Sequence, residues 1–300
     1  MEEKNMGTAR LGRLLTAMVT PFDKDMKVDY GVAADLAERL HAEGTDGIVV
    51  AGTTGESPTL SNEEKLRLFK AVTERVGGKA RVIAGTGSNS TDDTIAMSRA
   101  AADLGIDAVM LVTPYYNKPS QEGLYRHFRS VAEAIELPVI LYNVPGRTGV
   151  NLEADTVIRL SAAENIKAVK EASKNLEQVA EIAAGVPDDF DIYSGDDGIT
   201  LPVMSVGGVG VISIASHVAG PMIKAMIEAY ASGNHAEALR LHLHLLPLFK
   251  VLFIATNPAP VKAALRRRGV DVGALRLPLV DINASQEEKI IGVMKELDRV

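Results

Sequence analysis

The sequence contains no cysteine and no tryptophan, and aromatic residues make up only 4% of its 300 positions. The absence of cysteine excludes disulfides, thiolate metal sites and a thiol nucleophile together. With so few rings, Val, Ile, Leu and Ala must fill the interior, which favours parallel strands covered by helices. A basic surplus is missing too: 32 Lys and Arg face 39 Asp and Glu, a net charge of -7. Nucleic acid is therefore not an expected partner, because sequence-blind binding of a polyanion needs a concentrated basic surface. The one basic cluster, Arg266-Arg267-Arg268 beside Lys262, reads as a solvated helix end. No apolar run approaches the ~18 residues that span a bilayer. Met1–Arg13 is polar and lacks the apolar stretch of a signal peptide. These absences predict a soluble, cytoplasmic chain with no membrane partner.

What is present is ordinary globular composition, 46% hydrophobic and 24% charged, enough for a large core. Short β-branched runs recur along the chain at Leu14–Phe22, Gly47–Gly52, Arg81–Gly87, Ala108–Pro114, Pro138–Pro145, Ile166–Ala172, Asp191–Asp196 and Val209–Ser216. Their starts are mostly about 25 to 35 residues apart, the length of one βα unit. Helix signatures fill the gaps. Asp29 or Val28 opens a helix with Ala33, Leu36, Ala37 and Leu40 at helical spacing, stopped near Gly44. Ser61 and Glu64 form a capping box ahead of Leu66, Phe69 and Val72. Thr91 starts another helix that ends at Gly105.

Eight such units close into a (β/α)8 barrel or lie in an open doubly wound sheet. After Gly220 the pattern becomes nearly all helical, at Met222–Tyr230, His235–Ile254, Pro260–Arg268 and Gln286–Leu297. The expected organisation is a catalytic barrel over 1–220 and a C-terminal helical domain over 221–300.

Barrel enzymes carry their reactive groups at the C-terminal strand ends. In strand six, alternation puts Ile166, Ala168 and Lys170 on one face and Lys167 and Val169 on the other. Lys170 lies at the far end, where an apolar setting would disfavour the charged form of an amine and leave it free to attack a carbonyl. The alternative is a lysine paired to an acid such as Glu171. Strand five ends with Tyr142, a phenol able to exchange a proton, and a Pro-Gly turn that carries Arg147, whose planar fork suits a carboxylate; a packed tyrosine and a surface arginine are the alternatives. Strand two ends in Gly52-Thr53-Thr54-Gly55-Glu56-Ser57, hydroxyls and backbone amides suited to an anion; an ordinary glycine-rich turn is the plainer reading. Strand four ends with Tyr115 and Tyr116, able to cover a site or pack on another subunit. Gly85-Thr86-Gly87-Ser88 lacks the third glycine of a dinucleotide loop. The six histidines are scattered, with His242 and His244 on different faces of a helix, so no metal is expected.

Several of these strings together resemble the 4-hydroxy-tetrahydrodipicolinate (dihydrodipicolinate) synthase family of Schiff-base aldolases. They are Gly52–Ser57, Thr113-Pro114-Tyr115-Tyr116-Asn117, Tyr142–Gly149, Val169-Lys170-Glu171-Ala172 and Ser194-Gly195-Asp196-Asp197. The likeness runs from about Leu14 to Asn257-Pro258-Ala259-Pro260-Val261-Lys262, in order and at the family's spacing. It implies the closed barrel and a condensation of pyruvate with L-aspartate 4-semialdehyde, with no cofactor. It also implies a homotetramer built as a dimer of dimers. By the same resemblance Lys170 forms the Schiff base, and Tyr142, Thr53 and a Tyr116 contributed across a tight dimer form a proton relay, with Tyr115 stacked beside it. Thr54 holds the pyruvate carboxylate, Arg147 the carboxylate of the semialdehyde, and Ile212 presents its backbone to the nucleophile. Gly195 and Asp196 fall in a further substrate-binding motif.

N-acetylneuraminate lyases and 2-keto-3-deoxy sugar acid aldolases share the lysine and the tyrosine, and the Arg147-Thr148-Gly149 run separates this chain from them. A barrel without catalysis is the remaining alternative, although every catalytic position is filled. Ser57, Asn89 and Tyr115 match the family's lysine effector site at the dimer interface, but Lys65 stands where lysine-sensitive members carry a histidine. A cation there would repel the effector's ammonium, so weak or absent feedback by lysine is expected.

Overall fold

A computed structural model describes residues 11–299; the polar stretch Met1–Arg10 of the signal-peptide reading lies outside them. Eight strands follow one another around a closed barrel: β1 (Leu14–Ala17), β2 (Gly47–Val50), β3 (Arg81–Gly85), β4 (Ala108–Val112), β5 (Val139–Asn143), β6 (Ile166–Glu171), β7 (Asp191–Ser194) and β8 (Gly210–Ser213). All pair in parallel, and β8 returns to β1 through Leu14↔Val211, Leu15↔Ile212 and Thr16↔Ser213. Closure removes both sheet edges, so the open sheet is excluded.

Every strand is buried on both faces, which is why the sequence shows continuous apolar runs. The two faces form two separate cores. Leu15, Val49, Ile83, Met110, Ile140, Ala168, Tyr193 and Ile212 fill the barrel interior. Leu14, Ile48, Val82, Leu111, Leu141, Val169, Ile192 and Val211 pack outward under the helices. Ile166 belongs to the outer set and does not share a face with Ala168 and Lys170 as simple alternation had it. The register between β5 and β6 slips there, with Val139 opposite Ile166 and Ile140 opposite Ala168. Lys167 is the extra residue, and a bulge shifts the phase of all that follows by one.

The helices are α1 (Tyr30–Ala42), α2 (Asn62–Val76), α3 (Thr91–Ala102), α4 (Gln121–Glu133), α5 (Pro145–Thr148), α6 (Ala154–Ser161), α7 (Leu176–Gly185), α8 (Thr200–Ser205), α9 (Ser216–Ala231), α10 (His235–Val251), α11 (Ala259–Arg267) and α12 (Ala284–Leu297). Asp29 caps α1, and Ser61 and Glu64 close the expected box on α2. Gly44 follows α1 at φ +97°, the left-handed C′ position. Two short helices, α5 and α6, stand between β5 and β6 where periodicity indicated none. α9 leaves β8 directly, bends at Ala219 and packs on β1 and α1 before α10 folds back along it. The 220/221 division of the sequence thus falls inside α9.

Arg266, Arg267 and Arg268 are not a freely solvated helix end. They pair with Asp281, Glu287 and Asp298 respectively, stapling the end of α11 to α12 and the segment before it. No helix among the described residues is long and apolar enough to cross a membrane.

His217 is fully buried at the start of α9. One ring nitrogen donates to the Ile214 carbonyl at 2.8 Å, and the other accepts from the Val19 amide at 3.2 Å. Burial holds it neutral, with its pKa pushed down to about 4. His127, on the buried face of α4, is likewise pushed to about 4 by burial. In the unfolded chain both take a proton near the ordinary histidine pKa of ~6.5, so protons favour unfolding. Stability should be full above about pH 6.5 and fall progressively toward pH 4, by about 3 kcal/mol for His217 alone. Urea unfolding measured at half-unit steps from pH 7 to 5 checks this, and a flat profile over that window contradicts it.

Candidate active site

The register that builds the barrel also builds the site. Tyr142 on β5 lies opposite Lys170 on β6, which lies opposite Tyr193 on β7. Lys170 points inward above Ala168, is 4% exposed, and has its Nζ 4.3 Å from the centre of the Tyr142 ring. It has no acidic partner among the described residues. Glu171, the acid that might have neutralised it, faces the opposite side of the strand and is buried there. Its carboxylate accepts from Asn143 Nδ2 at 3.0 Å, Gln178 Nε2 at 2.9 Å and the Ser173 amide at 2.6 Å. The structural pairing Lys170–Glu171 is thereby removed. Lys167 instead sits at the rim with Asp189 at 2.7 Å. A buried amine with no counter-charge, beside a phenol ring at the C-terminal end of its strand, is placed for nucleophilic attack on a carbonyl.

Tyr142 also lines a cavity of about 460 Å³, together with Gly52, Thr53, Val144, Arg147 and Thr148; Lys170 itself is not in the lining and adjoins it through the Tyr142 ring. Ser57, Pro58, Asn62, Lys65, Ser88 and Tyr115 line its outer part. Arg147 is held there by local rules. Pro145 starts α5 without needing an amide partner, Gly149 ends it at φ +76°, and the buried Thr148 hydroxyl donates to the Val150 carbonyl at 3.0 Å. Thr113, at the end of β4, donates to the same hydroxyl at 3.3 Å.

The chain leaves β2 through left-handed turns at Ala51 (φ +53°) and Glu56 (φ +56°), which fold the Gly52–Ser57 segment over the barrel. Thr53 reaches the cavity, whereas Thr54 is turned inward and 2% exposed, with its Oγ1 accepting from Asn257 Nδ2 at 3.0 Å. Gly85 and Gly87 belong to packing and not to nucleotide binding. A Cβ on either would sit 2.5 Å from the backbone of Ala51 or Val112.

Other sequence candidates lie off the cavity. Ile212 is part of the apolar interior beneath it. Gly195 donates its amide to the Glu171 carbonyl at 2.7 Å, and a Cβ there would meet that of Ala172 at 2.6 Å. Asp196 pairs with Lys174 and caps the Gly198 amide. Tyr116 is 90% exposed on a left-handed turn at φ +73° and is not in the lining of its own chain's cavity. Asn89 is not in the lining but donates to the Tyr115 carbonyl at 3.2 Å, fixing the tyrosine loop. Among the described residues no group of His, Asp and Glu has the arrangement of a metal site.

Residues 10–297 match the model of the dihydrodipicolinate synthetase family. The chain belongs to that family. The 4-hydroxy-tetrahydrodipicolinate synthase of Desulforudis audaxviator is 56% identical over 289 residues, 96% of this chain and 98% of its own. Among solved structures, the family member from Cyanidioschyzon merolae with lysine bound is 51% identical. It superposes at a TM-score of 0.95 over 97% of this chain and 99% of its own. The chloride-inhibited enzyme of Acinetobacter baumannii complexed with pyruvate is 38% identical, at a TM-score of 0.93 over 97% and 100% of the two chains.

Sequence reasoning overlooked the buried polar groups packed behind the strands of the site. Asn143, Gln178 and Asn151 form a buried amide network around Glu171; Asn143 Nδ2 also reaches Asn151 Oδ1 at 2.8 Å, and Asn151 Nδ2 reaches Gln178 Oε1 at 2.7 Å. Asp197, fully buried behind β7, accepts from Ser213 and from the Ile214 and Ala215 amides, while burial pushes its carboxyl above the usual range. The available signal was a polar residue inside an otherwise apolar strand, as in Leu141-Tyr142-Asn143, but its partner lies 28 positions away.

Proposed function

We propose that this protein condenses pyruvate with L-aspartate 4-semialdehyde to give 4-hydroxy-tetrahydrodipicolinate, a step toward diaminopimelate and lysine. The observation that carries the reading is the unpaired, buried Lys170 amine against the ring of Tyr142, a residue that lines the same cavity as Arg147. Its amine adds to C2 of pyruvate, and loss of water leaves an iminium. That group withdraws electrons, so the methyl can give up a proton and become a nucleophilic enamine carbon. The carbon attacks the aldehyde of the second substrate, whose oxygen gains a proton. The amino group of that substrate then displaces Lys170 and closes the ring. Tyr142, with Thr53 and a Tyr116 from a neighbouring protomer, moves the protons; Thr54 binds the pyruvate carboxylate, and Arg147 that of the semialdehyde. Ile212, Gly195 and Asp196 complete the substrate-binding set.

The exposure of Tyr116 supports a tight dimer, and the family resemblance two such dimers in a tetramer. We assign the catalytic barrel to 1–220, of which the first ten residues are outside the described part, and the helical domain to 221–300. No cofactor enters the reaction, and the cysteine-free composition suits a cytoplasmic enzyme.

The test is a coupled assay in which pyruvate is paired either with L-aspartate 4-semialdehyde or with the aldehydes used by sugar-acid aldolases. Turnover with the semialdehyde alone is expected, and preference for a sugar aldehyde overturns the assignment. Adding millimolar L-lysine to the same assay should change the rate little. Lys65 lines the outer cavity without an acidic partner among the described residues, and burial pushes its pKa below the ordinary lysine range. Whatever charge it keeps opposes a second ammonium, and its side chain occupies the space. Strong inhibition by lysine would refute this reading of Lys65.

A further inference from the structure

Asn257 lies 203 residues from Thr54 along the chain, just before α11, yet its side-chain amide ends on the Thr54 hydroxyl at 3.0 Å. Both side chains are buried, at 4% and 2% exposure. A hydroxyl has one proton to donate and two lone pairs. Asn257 Nδ2–H takes up one lone pair, and no acceptor for the Thr54 proton exists among the described residues. The bond is also the amide's sole side-chain engagement, since Asn257 Oδ1 has no partner there. An amide buried to hold the fold would be satisfied at both ends; this one is spent on a single hydroxyl of the loop that leaves β2. The segment that carries it is anchored independently. Lys262, one turn into α11, pairs with Glu56 at 2.7 Å, two residues beyond Thr54.

We infer that Asn257 is a positioning residue: by donating to Thr54 Oγ1 it turns the hydroxyl proton toward the substrate carboxylate. It touches no substrate itself. The inference rests on the reading of Thr54 as the pyruvate-carboxylate contact. A hydroxyl already accepting one bond is a stronger donor of its own proton, so the effect should appear in pyruvate affinity and not in the later chemistry.

The test compares wild type, Thr54→Val, Asn257→Ala, Asn257→Asp and the double variant Thr54→Val/Asn257→Ala. Pyruvate KM and kcat are measured at saturating L-aspartate 4-semialdehyde. Asn257→Ala should raise pyruvate KM about tenfold and leave kcat within about twofold. With Val at 54 the same change should add less than about twofold, because the coupling partner is gone. Asn257→Asp keeps the shape of the side chain, and its carboxylate would draw the hydroxyl proton to itself. Its KM should therefore rise more than that of Asn257→Ala. Equal KM increases with Thr and Val at 54 would overturn the inference, as would a fall in kcat at unchanged KM. Should Asn257→Ala not fold, the near-isosteric Asn257→Asp decides alone, a wild-type KM refuting the proposal. If Thr54→Val leaves pyruvate KM unchanged, it is the reading of Thr54 that fails; if Thr54→Val raises KM and neither Asn257 variant does, Asn257 alone is refuted.

Discussion

Borohydride reduction in the presence of pyruvate should fix one pyruvate-derived group on the peptide containing Lys170, and Lys170→Ala should abolish both the adduct and turnover. The expected loss in kcat is roughly 10⁴-fold or more, as for removal of other covalent nucleophiles. The size follows from the surroundings. The interior beneath Lys170 is apolar, from Ala168 and Ile140 down to Leu15, and the ring of Tyr142 lies 4.3 Å from its Nζ. Among the described residues the other buried lysine, Lys262, is held by Glu56 and cannot take over. Lys167→Ala is the control: its ammonium pairs with Asp189 at the rim, and this variant should trap pyruvate as wild type does. Peptide mapping of the reduced protein gives the answer. An adduct on another lysine, or turnover by Lys170→Ala, would exclude the Schiff-base mechanism at this position.

Lys262→Met and Glu56→Gln, made singly, should each lower unfolding free energy by about 3–5 kcal/mol, whereas the double variant should recover much of the loss. Both side chains are fully enclosed, with Nζ and carboxylate 2.7 Å apart. Lys262 also donates to the Ala274 carbonyl at 2.8 Å, and the second carboxylate oxygen of Glu56 accepts from the Arg276 amide at 3.0 Å. Burial is the main cause that pushes the Lys262 ammonium below its ordinary range, with Glu56 opposing that shift. Removing one partner leaves the other as an uncompensated charge in a low-dielectric interior, and removing both leaves none. Equilibrium urea unfolding of the four proteins measures the coupling. Strictly additive losses would show that the two residues stabilise the fold independently. Because Glu56 sits in the loop that carries Thr53 and Thr54, the single variants should also lose activity below their unfolding transitions.

Much of this was legible in the residues themselves. Strand and helix rhythm, the caps at Asp29 and Ser61, and the inward face of Lys170 are local properties: they depend on backbone period and on bonds spanning three or four positions. The same locality explains the failures. Alternation misplaced Ile166 because a bulge depends on what β5 presents opposite β6. The arginine run at 266–268 looked solvated because its acids arrive from 281, 287 and 298. The short helices α5 and α6 offer too few turns for a period to show.

By itself the sequence determined the eightfold alternation, the two-faced burial of the strands and the lysine at the end of the sixth. Those follow from side-chain type and backbone period alone. Tertiary structure decided that the sheet closes, that Glu171 turns away from Lys170 into a cage of amides, and that Asn257 and Lys262 return across some 200 residues to brace the Thr54 loop. Such long-range pairings come from the packing of distant elements into one core, where each buried polar group must find whichever partner the fold brings within reach.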